Sequence, residues 1–266
     1  MRYVRLLGSL ARFTLARELS FRGNFLVKIS VELIWLGIMI AFYDVVFAKT
    51  TMVAGWTKPQ YMFFVGCFFA LNGVIETLFM ENCNEFAELI RTGDLDFLLL
   101  KPIDEQFLIT CRRVDWATGL NFFMGCGVML YALIQMGWVF DPIKLAAFAT
   151  LFVCGTAIAY GFMVVLTSSS VWLVRNQSLL EMWWLFSSLA RYPRELFKTV
   201  AWAEPIGMVF TFIVPILVVV SVPSDVMVRA FDWRMIAFTI AAALVILSLS
   251  RRFFRHALRS YRSASS

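Results

Sequence analysis

The feature that most constrains this chain is a series of apolar runs, each long enough to cross a lipid bilayer. Clear runs lie at about 25–47, 61–80, 116–138, 143–168 and 235–249. A transmembrane helix needs roughly 20 such residues, and a helix satisfies its own backbone hydrogen bonds in lipid. With 61% hydrophobic and only 16% charged residues, a soluble core could not bury this surface. The sequence therefore predicts an all-α integral membrane protein.

The placement of positive charge predicts that both termini lie in the cytoplasm. Basic residues cluster around the start of the first run and after the last run, and cytoplasmic flanks are enriched in Lys and Arg. The two clusters are Arg2, Arg5, Arg12, Arg17, Arg22 and Lys28, and Arg251, Arg252, Arg255, Arg259 and Arg262. These charges border membrane segments, which favours anionic lipid over nucleic acid as the partner of a chain with net charge +6. We therefore expect a multi-pass plasma or inner membrane protein.

The first 22 residues predict a helix that lies in the lipid headgroup layer. Leu6, Leu10 and Phe13 recur at helical spacing, with arginines around the other side. Such a helix places its apolar face toward the acyl chains and its arginines toward anionic headgroups. A loosely ordered basic tail is the alternative.

Two further apolar runs, at 179–190 and 205–222, are harder to interpret. If both crossed the membrane, the chain would have seven spans and its basic ends would lie on opposite sides. The positive-inside trend disfavours that arrangement. We therefore predict about six transmembrane helices, with one of these two runs not crossing.

In one arrangement, a short fifth helix at 178–192 is followed by a re-entrant hairpin across 193–222. Pro205, Pro215 and Pro223 would then supply the breaks in that hairpin. Non-helical backbone at membrane depth is tolerated where protein or water surrounds it.

In the other arrangement, the fifth span is a helix at 200–222 and residues 179–198 lie on the cytoplasmic side. Charge alone favours this arrangement, because it keeps Arg191, Arg194 and Lys198 inside. The residues by themselves leave both arrangements open.

Polar side chains are rare inside the spans, and three of them are candidates for a pathway or a subunit interface. Glu32 lies in the first run, while Asn72 and Glu76 share one face of the second. A charge at mid-bilayer costs at least about 2.5 kcal/mol and often marks function. The structural alternative is local pairing, with Lys28 one turn before Glu32, and snorkelling toward the cytoplasmic end.

The sequence carries no recognisable catalytic, metal or nucleotide motif. It has a single histidine, His256, and no HExxH, GxSxG, CxxC or GxxxxGK[ST] pattern. The five cysteines are interpreted as small apolar side chains. We expect no enzyme activity, metal site or cofactor in this chain, so any ATP-driven process needs a separate ATPase.

The polar segment 81–114, between the second and third runs, is the most informative part of the sequence. A short amphipathic helix is predicted to end at Gly93, a residue suited to a C-terminal cap. Pro102 stops any continuing helix, and a second helix is expected to begin near Asp104 and to lead into the third span. Connections between helices commonly need about two to eight residues, so this longer segment predicts a docking surface.

Four segments together carry a resemblance to a known family. Residues 90–102, IRTGDLDFLLLKP, resemble the cytoplasmic-loop signature of ABC-2-type transporter permeases. The start of the first span at 21–26, the proline-marked region 192–223 and the C-terminal residues 258–264 are also similar to the small six-span permeases of that family.

The resemblance implies one permease domain over residues 1–266, six helices per subunit and a re-entrant segment after a short fifth span. It also implies a second permease, identical or paralogous, and two cytoplasmic ATPase subunits that would hold ATP and Mg. The segment 81–114 would be the coupling loop that meets the ATPase. The residues that the resemblance places in this role are Glu85, Glu88, Arg91, Gly93, Asp94, Asp96, Lys101, Pro102 and Asp104.

Two other functions remain open at this point. A membrane scaffold or sensor subunit would also need a docking loop, but not a polar seam between subunits. An ATP-independent carrier or channel would function without an ATPase. The small number of charges inside the spans is compatible with an amphipathic or lipid-like cargo, whereas an intramembrane enzyme lacks a catalytic constellation.

Overall fold

A computed structural model describes residues 2–20, 22–173, 177–199 and 201–261, and almost all of them are helical. The strands in these residues are Met52–Val53 and Trp56–Thr57, which form a small antiparallel hairpin. The α-helices are α1 (Arg2–Ser20), α2 (Arg22–Lys49), α3 (Lys58–Ile75), α4 (Glu81–Thr92), α5 (Asp94–Leu99), α6 (Glu105–Thr110), α7 (Trp116–Gln135), α8 (Pro142–Leu173), α9 (Gln177–Ala190), α10 (Glu204–Met208), α11 (Ile216–Val228) and α12 (Trp233–Ser260).

Five helical stretches are long and apolar enough to cross a membrane. They are α2, α7, α8, α12 and the stretch Lys58–Thr92, which begins with α3. A bent pair of shorter segments, Glu204–Ile213 and Ile216–Val228, meets the same test when taken together. The prediction of an all-α integral membrane protein is therefore confirmed.

The second span does not end where its hydropathy falls. A π-helical turn, Glu76–Met80, joins α3 directly to α4, so one helical rod runs from Lys58 to Thr92. A break in hydropathy marks a change of environment, whereas a helix ends only where the backbone must turn. That turn comes at Gly93, whose φ of 78° is left-handed and favours glycine.

The chain between α9 and α12 folds as a re-entrant segment. It contains a 3₁₀ turn (Arg194–Lys198), α10, a π-helical turn (Val209–Ile213) and α11, with a bend of 87° between the Glu204–Ile213 and Ile216–Val228 segments. Arg194 lies 3.2 Å from the Asp225 carboxylate, so the chain leaves α9 and finishes α11 at the same level.

The arrangement favoured by charge alone is therefore wrong. It would place residues 179–198 beside the 81–114 loop, but Glu195 accepts a hydrogen bond from Trp56 Nε1 at 3.2 Å. Trp56 precedes α3, and the loop follows the other end of the same helical rod. At this face Arg194 pairs with both Glu195 and Asp225.

The three prolines of this segment have different effects on its helices. Pro205 lies in the first turn of α10, and Pro215 caps the start of α11, as expected for residues that interrupt helices. Pro223 lies inside α11 and supplies no break, contrary to the sequence-based expectation. Because α11 is buried almost throughout, its neighbours hold the backbone in place around that proline.

The membrane core depends on close contact between α3 and α7. A Cβ added to Gly125 would lie 2.5 Å from the Gly66 carbonyl oxygen, and one added to Gly66 would lie 2.8 Å from the Gly125 carbonyl oxygen. Small residues let helix backbones approach in membranes, where burial of apolar surface gives little driving force between helices. On the opposite side, α8 packs against α11 and α12.

We predict that Gly125→Ala destabilises the protein by about 1–3 kcal/mol, because the new methyl group forces the α3 and α7 backbones apart. Gly127→Ala is the matched control, since a Cβ at Gly127 meets no atom within 4 Å. Thermal unfolding of the two purified variants, followed by tryptophan fluorescence, measures the difference. Equal melting temperatures would contradict this account of the α3–α7 contact.

Candidate functional site

The 81–114 loop is a compact structure built from α4, α5 and α6. Phe86 and Leu89 of α4 pack with Leu95 and Leu98 of α5 and with Phe254 of α12 in one apolar cluster. The predicted cap at Gly93 is confirmed, and α6 begins where predicted, with the Asp104 carboxylate accepting a hydrogen bond from the Phe107 amide at 3.0 Å. The loop is therefore a folded unit rather than a flexible connector.

Helix α6 leads into α7, the third span, through a short turn. Residues 111–115 are non-helical, and Asn82 holds this turn by exchanging two 2.8 Å hydrogen bonds with the Arg113 backbone. Asp115 then caps α7 by accepting from the Ala117 amide at 3.1 Å. The C-terminal end of the loop is thus tied to the α3–α4 rod at Asn82.

Asp104 and Glu85, two of the predicted coupling residues, lie in internal ion pairs. Arg251 of α12 donates from Nη1 to Asp104 Oδ1 at 2.8 Å and to Gln106 Oε1 at 3.0 Å. Glu85 pairs with both Arg112 and Arg113. These carboxylates hold the loop against its own scaffold.

Four other charged residues of the loop belong to an exposed surface that we call the loop tip. Phe97 and Leu100 are 68% and 81% exposed, whereas their neighbours Leu95 and Leu98 are buried. The loop tip consists of Glu88, Arg91, Asp94, Phe97, Leu100, Lys101 and Pro102, all exposed. Gly93 and Asp96 are half-buried beside it, where Gly93 forms the turn between α4 and α5.

Sequence reasoning predicted a docking surface in this segment but did not identify Phe97 and Leu100 as its exposed side chains. The segment 95–100 is almost uniformly apolar, so hydropathy alone does not reveal which side chains face outward. The signal lies in helical spacing, because Leu95 and Leu98 are three positions apart and define the buried face of α5.

Both described ends of the chain lie against this loop. The ring of Tyr3, in α1, is 5.0 Å from that of Phe107, and the Trp116 indole N–H donates to the Ala11 carbonyl oxygen at 2.9 Å. At the other end, α12 brings Arg251 and Phe254 to the loop. The two described ends of the chain therefore share one face of the protein, as the charge distribution predicts.

The structure brings Glu32, Asn72 and Glu76 together on one cavity. This polar cavity has a volume of about 230 Å³ and lies between α2, α3, α7 and α9. Asn121 of α7 bridges the two carboxylates, since its Nδ2 donates to Glu32 at 2.9 Å and to Glu76 at 3.3 Å. Glu76 opens the π-helical turn, a feature frequent at functional sites.

The expected pairing of Lys28 with Glu32 is wrong. Lys28 Nζ instead lies 2.8 Å from Asp115 Oδ2, the carboxylate that caps α7. Spacing along one helix shows which residues can meet, but a neighbouring helix offered Lys28 a partner closer to the membrane surface. Sequence reasoning also missed Asn121 and Arg191, which line the cavity; both are polar residues at or near the ends of apolar runs.

The described residues form a mostly helical membrane protein with a folded loop after its second span and a polar cavity between its helices. A family model described as ABC-2 family transporter protein matches residues 33–265. The chain belongs to this family and is a membrane permease of an ABC transporter. No curated protein and no solved structure matches it.

We predict that Arg251→Ala lowers the free energy of unfolding by about 1–3 kcal/mol, since it removes charged hydrogen bonds and leaves Asp104 without its partner. The matched control is Arg252→Ala, which removes the exposed neighbouring arginine of the same helix. Chemical unfolding in detergent compares both variants with the unmodified chain. A loss of equal size in the two variants would contradict a specific role for the Asp104–Arg251 pair.

The Asp104–Arg251 pair also predicts that the stability of the protein depends on pH. Hydrogen bonds from the Arg251 guanidinium lower the pKa of Asp104 below its ordinary value. Stabilisation by this carboxylate is therefore complete above about pH 4, the ordinary aspartate pKa, and is lost as pH falls through the lowered native value. We expect the stability difference between the unmodified chain and Asp104→Asn to shrink below about pH 4. A difference that stays constant down to pH 2 would contradict this assignment.

Proposed function

We propose that this chain is the membrane-spanning subunit of an ATP-driven ABC exporter. In this proposal it forms the translocation pathway with a second permease and couples to separate ATPase subunits. The observation that carries the proposal is the loop tip, an exposed apolar and charged surface on a folded base, in a chain that belongs to a transporter family. ATP and Mg would be held by the partner ATPase.

The loop tip has the chemistry of a docking surface. Exposed Phe97 and Leu100 offer an apolar knob, and Glu88, Asp94 and Lys101 surround it with charge. Buried apolar anchors supply most of the affinity of an interface, while surrounding charges set register and partner choice. A groove on a cytoplasmic ATPase fits this pattern.

The connections of the loop explain how movement at its tip would reach the membrane. Because α4 continues α3 through the π-helical turn, a displacement of the tip acts on the whole rod Lys58–Thr92. The Asp104–Arg251 pair transmits the same displacement to α12. The polar cavity lies against this rod, so closure of the ATPases would change its shape.

The second permease would pack on the side of α2. This helix contributes little to the buried core, and its large side chains Ile34, Ile38 and Phe42 are exposed. Trp35 of α2 and Trp184 of α9 are also exposed and border the polar cavity. A pathway between two permeases would use the faces that each chain leaves open, and these residues lie on such a face.

The orientation of the chain in the membrane follows from the same proposal. The loop tip must face the compartment that holds the ATPase, which places the described ends of α1 and α12 in the cytoplasm of an inner or plasma membrane. The arginine-rich end of α12, with Arg251, Arg252, Arg255 and Arg259, agrees with this orientation.

We predict that Asp94→Lys combined with Glu88→Lys weakens binding of the partner ATPase by about tenfold or more, because it reverses charge around the apolar knob. Affinity purification of the tagged chain in mild detergent, followed by mass spectrometry and an ATPase assay on the eluate, measures the loss. Phe97→Ser with Leu100→Ser should give a similar loss through the apolar contact.

The control is Glu204→Lys, which reverses an exposed carboxylate at the start of α10, on the opposite face of the protein. If the tip variants retain both the ATPase and its activity, the coupling assignment fails. If the unmodified chain purifies without any ATPase and stays stable, a scaffold or an ATP-independent carrier becomes the better interpretation.

A further inference from the structure

Two adjoining spaces beside the start of α2 have no role in the proposed function. The first, which we call the charged cavity, has a volume of about 340 Å³ and is lined by Arg17, Glu18, Asn24, Phe25, Lys28 and Glu81. The second, which we call the apolar groove, has a volume of about 330 Å³ and lies between α2, the α3–α4 rod and α7. Phe25 lines both spaces, so they meet at this side chain.

The two spaces lie at different levels along the rod Lys58–Thr92. Gly73 lines the apolar groove and Glu81 lines the charged cavity, nearer the 81–114 loop. The rise of a helix places these two positions about 12 Å apart along its axis. Trp116, the first residue of α7, also lines the groove, and a tryptophan at the end of a span is typical of the membrane interface. The charged cavity therefore lies at the level of lipid headgroups, and the groove lies at the level of acyl chains.

The apolar groove has the surface that an acyl chain requires. Its lining includes Ile29 of α2, Leu78 of the rod and Phe123 of α7, which is 67% exposed. Gly119 of α7 leaves room beside Thr77, because a Cβ at Gly119 would already lie 3.4 Å from Thr77 Oγ1. A groove of this kind accepts hydrocarbon, so any preference among lipids must come from the charged cavity.

The charged cavity contains a loose ion pair. Arg17 Nη2 lies 3.9 Å from Glu81 Oε1, and Arg113 Nη1 lies 3.7 Å from the same oxygen. Both distances are longer than a hydrogen bond. The side chains of Arg17 and Glu81 are 45% and 36% exposed. A ligand can therefore reach a guanidinium donor and a carboxylate acceptor within one cavity.

Lys28 adds a second positive charge to this cavity. Its Nζ lies 2.8 Å from Asp115 Oδ2, which uses one of the three N–H groups of the ammonium, and its side chain is nearly half exposed. Asn24 lies one turn earlier on the same face of α2. Glu18 also lines the cavity, but its Oε1 accepts a hydrogen bond from the Trp116 amide at 3.0 Å. The groups that face a ligand are thus two cations and the Glu81 carboxylate.

We propose that the charged cavity and the apolar groove together bind one phospholipid whose headgroup carries a phosphate and a primary ammonium, as in phosphatidylethanolamine. The phosphate accepts hydrogen bonds from Arg17 and Lys28, the ammonium donates to Glu81, and one acyl chain lies in the groove. An anionic headgroup without an amine would leave Glu81 unmatched. The quaternary ammonium of phosphatidylcholine has no N–H to donate. The bound lipid would join α1 and α2 to the rod.

The test is lipid binding to the purified, delipidated full-length chain in mild detergent, without ATP. The probes are phosphatidylethanolamine, phosphatidylglycerol and phosphatidylcholine with identical acyl chains, and native mass spectrometry distinguishes them by mass. We expect phosphatidylethanolamine to bind about threefold or more tightly than the other two lipids, the size of effect typical of a partly exposed charge pair.

Variants of the charged cavity then separate the two parts of the headgroup. Arg17→Gln should weaken binding of all three phospholipids by about threefold or more, because each carries the phosphate. Glu81→Gln should remove the preference for phosphatidylethanolamine and leave phosphatidylglycerol binding intact. Arg12→Gln is the matched control, since Arg12 is an exposed arginine of the same helix α1 that does not line the cavity.

A variant of the apolar groove tests the position of the acyl chain. Gly119→Leu places a side chain in the groove and should weaken binding of phosphatidylethanolamine by about threefold or more. Gly127→Leu is its control, because it adds the same apolar bulk to α7 at a position where a Cβ meets no atom within 4 Å. The comparison of the three lipids on the unmodified chain does not depend on how any variant folds.

Three results would overturn the inference. The first is equal binding of the three lipids, which would indicate general lipid contact. The second is phosphatidylethanolamine binding that neither Glu81→Gln nor Gly119→Leu alters. The third is a preference for phosphatidylglycerol that Arg17→Gln abolishes, which would assign the cavity to an anionic headgroup. None of these measurements uses an ATPase or a second permease, so their outcome is independent of the proposed function.

Discussion

The structure depends on one constraint: each polar group placed in lipid must find its partner inside the protein or in a bound molecule. The helices satisfy this constraint for the backbone. At the non-helical Val214 and Pro215, the Val214 amide donates to the Val209 carbonyl oxygen at 2.9 Å, Val214 packs against the apolar core and Pro215 is buried. Close contact at Gly66 and Gly125 then supplies the packing that a membrane core cannot obtain from burial of apolar surface alone.

The same constraint explains why the second span extends beyond the membrane as a rod. Helix α3 keeps its hydrogen bonds through the π-helical turn and into α4, so polar residues of the loop enter the helix without a break. A rigid extension can carry movement, whereas a flexible connector would absorb it. The internal pairs of Glu85 and Asp104 stiffen its base, and the side chains of Phe97 and Leu100 remain exposed.

Local signals in the sequence were sufficient for much of the fold. Apolar length predicted the spans, Gly93 predicted the end of α4 because a left-handed residue was needed there, and Asp104 predicted the start of α6 through its capping carboxylate. The features that were missed depend on contacts between distant segments. The partner of Lys28 is 87 positions away, and Asn121 reaches carboxylates from two other helices, so neither follows from spacing along one helix.

Two groups of charged residues in this protein differ in whether they form ion pairs within the described chain. One group lies around Asp225, and the other lines the polar cavity. At the face opposite the loop, Asp225 pairs with Arg194 and Arg229, and the Arg229 guanidinium lies 4.8 Å from the centre of the buried Trp56 ring. These ion pairs neutralise the charges and join the beginning of the re-entrant segment to its end. In the polar cavity, Glu32 and Glu76 share one amide between them, and that amide retains an unused acceptor. The two groups of charges therefore differ in how completely they are paired within the described residues.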